Sequence, residues 1–138
     1  MSSGPPIVLA FAASDPTGGA GVQADVLTIA GMGGHPLSVV TALTVQDTSG
    51  VHALEPVEAR LVRAQAERLL AETRVGAFKL GVLGSAKNAA AVAGVLRDYP
   101  DVPVVFDPVL ASGRGDPLAS AEGLSARPIC VMPSSMVL

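Results

Sequence analysis

Short apolar runs alternate with amphipathic stretches along most of this sequence. Residues 7–12, Ile-Val-Leu-Ala-Phe-Ala, lie between Pro5-Pro6 and Ser14-Asp15-Pro16, the signature of a strand buried on both faces. Residues 18–21 then open a helical stretch in which Val22, Val26, Ile29 and Ala30 recur at i, i+4, i+7 and i+8. Gly31, Gly33 and Gly34 end it, as glycines do at helix C-termini. Residues 37–44 form a second, β-branched run, and residues 46–50 carry turn residues. Residues 58–73 place Leu61, Val62, Leu69 and Leu70 on one face among charges, predicting an exposed amphipathic helix. Residues 77–80 read as a third buried strand. Ala89, Val92, Ala93 and Leu96 repeat at helical spacing, and residues 102–106 form a fourth strand closed by Asp107-Pro108. Strand and helix alternate, so the predicted architecture is a mostly parallel sheet with helices on both faces.

Composition narrows the function classes. Hydrophobic residues make up 49% of the 138 and aromatics only 3%, so the core is built from aliphatic side chains. Net charge is -3 with no basic run, which argues against a nucleic-acid partner. No apolar stretch is long enough to cross a bilayer, and residues 1–6 lack the pattern of a secretory signal. Cys130 is the one cysteine, so no internal disulfide or cysteine cluster forms. The expectation is a cytoplasmic protein.

In open parallel sheets ligands bind outside the carboxyl ends of the strands. Residues 14–21, 46–50, 81–84 and 107–115 all fall at such ends, and this convergence is the main bottom-up pointer to a site. In the first segment, glycines either admit a ligand to the backbone and to free helix N–H groups, or serve a tight turn. It is neither a P-loop nor a dinucleotide fingerprint. Asp25 either accepts from a ligand hydroxyl or complements the helix dipole from the first turn. The Gln46 amide, donor and acceptor at once, suits a heterocycle edge with a ring nitrogen beside an amino group; otherwise it is a surface-loop residue. Lys79 sits inside an apolar strand, where an ammonium needs a carboxylate partner or a route to the sheet edge. Asp107 either serves Mg²⁺ indirectly or forms a strand-end turn. His35 and His52 are too isolated for a metal site and read as loop or surface residues, and Cys130 shows no sign of being a nucleophile.

These residues resemble the hydroxymethylpyrimidine/phosphomethylpyrimidine kinases of thiamine biosynthesis. The run Ser14-Asp15-Pro16-Thr17-Gly18-Gly19-Ala20-Gly21-Val22-Gln23-Ala24-Asp25 resembles that family's opening signature, and Val40 to Thr48 its second. Lys79-Leu80-Gly81-Val82-Leu83 and Val105-Phe106-Asp107-Pro108-Val109 are similar to its third and fourth. A pyridoxal kinase of the same superfamily shares the Asp-Pro-Val element but matches the first run less well. The resemblance implies a ribokinase-like three-layer αβα fold, ATP and Mg²⁺ as cofactors, a homodimer, and a pocket for 4-amino-5-hydroxymethyl-2-methylpyrimidine. In that pocket Gln46 pairs with the aminopyrimidine edge and Asp25 lies near a substrate hydroxyl. Ala13 contributes backbone where the family more often has Gly. Val82, in place of a frequent Met, and Val109 line the ring, while Asp107 helps organise metal and phosphates through water.

The resemblance runs from about residue 7 to residue 118. It implies a substrate-binding half over 1–118 and an aberrant tail over 119–138, where Pro128, Pro133 and Ser134-Ser135 break both periods. The family's Thr-Pro-Asn-x-x-Glu and Gly-Thr-Gly-Cys motifs, the latter an anion hole for the transferred phosphate, do not occur in the 138 residues. A frameshift or a truncated reading of the gene is the expectation this raises, and with it negligible phosphate transfer by these residues alone. The alternatives are a non-catalytic pyrimidine-binding module and a fragment without function.

Overall fold

The computed structural model describes residues 4–107. The chain order is β1 (Ile7–Ala12), α1 (Gly21–Gly31), β2 (His35–Val40), β3 (Ala42–Asp47), β4 (Gly50–Pro56), α2 (Ala59–Glu72), β5 (Ala77–Leu80), α3 (Ala86–Leu96) and β6 (Val104–Phe106). Four strands form one sheet in the order β2-β1-β5-β6, with every pairing parallel. The strands β3 and β4 form a separate antiparallel hairpin.

Side-chain alternation explains the layering. Leu9 and Phe11 of β1 pair in register with Phe78 and Leu80 of β5, and all four enter the main apolar cluster with Val62, Ala66 and Leu70 of α2 and Val92 and Val95 of α3. Each large side chain buried there contributes about 2 kcal/mol. Phe78 also stacks edge-on against Tyr99, ring centroids 6.1 Å apart. Ala10 and Ala12 point to the opposite face, where α1 packs on β1 and β2. Small residues on that face let the helix approach closely. The result is the expected αβα layering, α1 on one side and α2 with α3 on the other.

The structure departs from the sequence reading at several points. The run over 37–44 is not one strand. It breaks at Thr41, whose N–H still bonds Ala12 O at 3.0 Å while the next residue begins the hairpin. The first helix begins at Gly21 rather than Gly18, because Gly18–Ala20 are held in the preceding loop. In α2, Val62, Ala66 and Leu70 are buried, whereas Leu61 is turned outward. The segments 108–118 and 119–138, and with them Val109, Cys130 and the predicted tail, lie outside the described residues.

Candidate functional site

The four parallel strands end in step, and the residues just past them form one rim. Ala12 pairs with Val40, Phe11 with Leu80, and Leu80 with Phe106. Backbone bonds carry the alignment one residue further: Gly81 N–H to Phe11 O at 2.8 Å and Asp107 N–H to Leu80 O at 2.9 Å. The neighbours β1 and β5 lead into α1 and α3, which cover opposite faces of the sheet. A crevice opens outside strand ends whose connections part in this way. Ala13 follows β1 at this edge, and Gly81 and Val82 follow β5.

The loop after β1 is held by Asp15, a residue the sequence reading passed over. Its carboxylate is 3% exposed and accepts from Thr17 N–H and Ala20 N–H, both at 2.9 Å, with the Thr17 hydroxyl 2.9 Å from each oxygen. Its own N–H donates to Gln23 Oε1 at 2.8 Å, and Gln23 Nε2 donates to Ser14 Oγ at 2.9 Å. Val22 N–H bonds Ala13 O at 2.8 Å. The Ala20 and Val22 N–H groups at this helix start thus have partners within the chain, and Gly21, with φ 63° and no room for a Cβ beside Ala13 O, serves the tight turn. The local signal was present, because an Asp two residues before a Thr is the pattern of an Asx turn.

Asp25 is the fifth residue of α1, beyond the first turn, and the dipole reading is set aside. It meets Lys79 instead. Lys79 Nζ lies 2.8 Å from Oδ1 and 3.0 Å from Oδ2, with the two side chains only 20% and 12% exposed. The lysine projects from the α1 face of β5, in register with Ala10, so its carboxylate comes from the helix lying over it. Gly81 makes room for the pair, since a Cβ there would stand 3.2 Å from Nζ. The open question about Lys79 is resolved: it is paired.

Gln46 is not in a turn. It lies within β3, beside a register shift between Val45 and Gln46, and the turn follows at residues 47–50. Gln46 Oε1 is 3.2 Å from Thr44 Oγ1, two residues back on the same strand, and that hydroxyl donates to Ser14 O at 2.7 Å. Gln46 is therefore connected through one hydroxyl to the loop beyond β1. At the tip, Asp47 accepts from Ser49 N–H at 2.7 Å, the Ser49 hydroxyl and Gly50 N–H at 3.1 Å, and lies 3.0 Å from His52 Nε2. The Ser49 hydroxyl first, then the Ser49 N–H and His52, holds the Asp47 carboxyl well below the usual carboxylate range. His52 thus lies in β4, an element missing from the sequence reading.

Ala13, Val82 and Asp107 lie within two residues of the ends of β1, β5 and β6, Gln46 is tied through Thr44 to Ser14, and Asp25 lies on α1 against Lys79 of β5. Val82 is tied in by Thr41, whose hydroxyl donates to Val82 O at 2.6 Å. The Asp107 carboxylate has no hydrogen-bond or ion-pair partner among the described residues, and these contain no group of three metal-ligating side chains. A strand-end carboxylate has the oxygen chemistry that Mg²⁺ takes, the cation keeping several waters besides.

Comparison with known proteins identifies the lineage. The sequence profile described as phosphomethylpyrimidine kinase matches residues 15–138. The chain belongs to the phosphomethylpyrimidine kinase family. A hydroxymethylpyrimidine/phosphomethylpyrimidine kinase of Mycobacterium tuberculosis is 44% identical over 123 residues, 88% of this chain and 45% of that protein. A thiamine biosynthesis multifunctional protein of Corynebacterium efficiens is 44% identical over 121 residues, 88% of this chain and 16% of its own length. The crystal structure of a Clostridium difficile phosphomethylpyrimidine kinase superposes with a TM-score of 0.78 at 34% identity, covering 86% of this chain and 51% of that one. A pyridoxal kinase from Bacillus subtilis, solved with ADP, gives 0.70 at 29% identity over 76% of this chain and 42% of its own. The fold is ribokinase-like. The chain spans about half the length of the single-function kinases it matches.

Proposed function

We propose that this protein serves ATP-dependent phosphorylation of 4-amino-5-hydroxymethyl-2-methylpyrimidine and its monophosphate in thiamine biosynthesis, in the cytoplasm, and that residues 13–107 supply most of its pyrimidine pocket. The observation that carries the reading is the pair of hydroxyl ties between the hairpin segment and the strand ends, Thr44 from Gln46 to Ser14 and Thr41 to Val82. The Gln46 amide takes the amino group and adjacent ring nitrogen of the pyrimidine as acceptor and donor together. Asp25, held by Lys79, keeps oxygen capacity for the hydroxymethyl group. Val82 lines the ring. Mg²⁺, when bound with ATP, neutralises phosphate charge, and Asp107 orients the waters of its shell.

Titration calorimetry of the 138-residue chain with the aminopyrimidine, and with pyridoxal in parallel, tests this. Heat with the pyrimidine and none with pyridoxal is expected. Gln46→Ala should weaken binding by about 10-fold, the loss of one to two hydrogen bonds of about 1 kcal/mol each. A flat pyrimidine titration, or a stronger response to pyridoxal, removes the reading.

We further propose that the chain pairs with a second copy through its hairpin. Leu43 and Val45 stand 57% and 62% exposed on the same face of β3, opposite Glu55 and Ala53 of β4. Sedimentation velocity should show a dimer for the chain and a monomer for Val45→Glu. A wild-type monomer at micromolar concentration would overturn it.

A further inference from the structure

The hairpin strands β3 and β4 pack chiefly against each other rather than on the main sheet or the helices. The position of Gln46 therefore depends on the bonds from Ser14 to Ala42 and Thr44 and on what fixes the hairpin at its two stems, near Thr41 and Val57. One side chain reaches both. Asn88, in the first turn of α3, is fully buried. Its Nδ2 lies 2.9 Å from Thr41 O, 3.0 Å from Val57 O and 3.0 Å from Leu83 O. These carbonyls belong to the segment entering the hairpin, the segment leaving it, and the rim loop that carries Val82.

The surroundings are built to admit that amide. Val57 N–H bonds Thr41 O at 2.8 Å, closing the hairpin base as a ring. The Thr41 hydroxyl reaches over to Val82 O. Gly84 has φ 84°, and a Cβ there would press on Ala42 Cβ at 2.9 Å and Thr41 O at 3.2 Å, so the rim loop lies directly against the stem. Ser85 caps α3 by accepting the Asn88 N–H at 3.1 Å, which sets the first turn in place. Asn88 Oδ1, by contrast, is buried without a partner among the described residues. An unpaired buried carbonyl is unfavourable, and what offsets it is the donor end of the same group. The donor end is the part in use.

We infer that Asn88 is a positioning residue: it locks the hairpin stems to the rim loop and thereby sets the distance between Gln46 and Val82 across the pyrimidine pocket. The consequence for ligand binding rests on the pocket proposed above; the mechanical role does not. Asn88 touches no substrate in this scheme. It acts through Thr41 and Val57.

The test is amide hydrogen exchange on the full chain and on Asn88→Leu, which keeps the size and removes the donors. The expected result is exchange at least about 10-fold faster over Ala42–Pro56, with β1 and β5 unchanged, since one to two hydrogen bonds of local closure free energy are lost. Uniform acceleration across all strands would show a merely structural residue, and unchanged hairpin exchange would show no lock; either overturns the inference. Asn88→Asp guards against a Leu variant that fails to fold. A carboxylate facing three carbonyls is disfavoured, so its pKa rises, and a group with a raised folded pKa confers more stability as pH falls. The Asp variant should therefore regain hairpin protection as pH is lowered from 8 to 5, relative to wild type, through one O–H donor. An absent pH response sinks the lock as well. Calorimetry with the aminopyrimidine separates the two layers: Asn88→Leu should weaken binding about as much as Gln46→Ala. If Gln46→Ala leaves binding intact, the pocket reading fails while the exchange data still judge Asn88.

Discussion

Asp25→Ala is expected to destabilise the chain by about 3 kcal/mol, because it leaves the Lys79 ammonium in a largely enclosed position without a counter-charge. Lys79→Met should be tolerated better than Asp25→Ala in one respect: the methionine stem can fill the lysine's place among Ala10, Ala12 and α1, while Asp25 retains 12% exposure. The informative variant is the double one. When both charges go, the uncompensated group disappears, and the double mutant should be more stable than the sum of the single losses by about 2 kcal/mol. Urea unfolding of the four proteins measures the cycle. Strict additivity would show that the pair contributes no coupling, and Asp25 would then be free to serve the ligand alone. Pyrimidine titration on the double mutant gives the second half of the answer. It should fold and bind poorly, separating the structural work of the pair from the oxygen that Asp25 presents at the rim.

Gly21→Ala is expected to be as damaging for a different reason. A Cβ at that position would sit 2.4 Å from Ala13 O and 3.1 Å from Asp15 N, and the residue has φ 63°. The left-handed backbone alone disfavours a side chain by about 1 kcal/mol, and the overlap with a fixed carbonyl adds to it. A total of about 2–4 kcal/mol is expected, with Ala13 displaced from the rim. Gly18→Ala is the internal control. Its φ is 76°, but nothing lies within 4 Å of its Cβ, so only the backbone term of about 1 kcal/mol applies. Thermal unfolding of the two variants side by side decides the matter. Equal shifts would mean that the close approach of residue 21 to Ala13 does not matter.

Much of the layered architecture was readable because buried parallel strands announce themselves. Residues 7–12 are apolar on both faces, residues 77–80 are apolar except for Lys79, and both strands begin and end where their sequences indicate. The hairpin was not readable. Its strand β4, Gly-Val-His-Ala-Leu-Glu-Pro, is partly or fully exposed at every position, so no period of two betrays it. Its partner β3 was merged into β2, since Val39 to Val45 is an unbroken run of strand-favouring residues apart from Ala42, and only the tertiary bonds at Thr41 divide it. Placing Gln46 in a turn followed from that error. Lys79 was legible as a charge needing a partner, but its partner was not, because the pairing joins residues 54 apart. Asn88 left no trace at all: one amide within a run of alanines carries no periodic signal, and its value comes from three carbonyls gathered from distant segments.

The Asp25–Lys79 pair also bears on how the sheet assembles. Shifting β5 by one residue against β1 would exchange its two faces and drive the ammonium into the layer of Phe11 and Leu9. A bare cation in that apolar layer is so unfavourable that the slipped pairing cannot compete. In the native alignment the same cation meets its carboxylate. One polar residue in an otherwise greasy strand thus acts as a proofreader of strand alignment, rejecting the near-miss that a wholly aliphatic segment would tolerate.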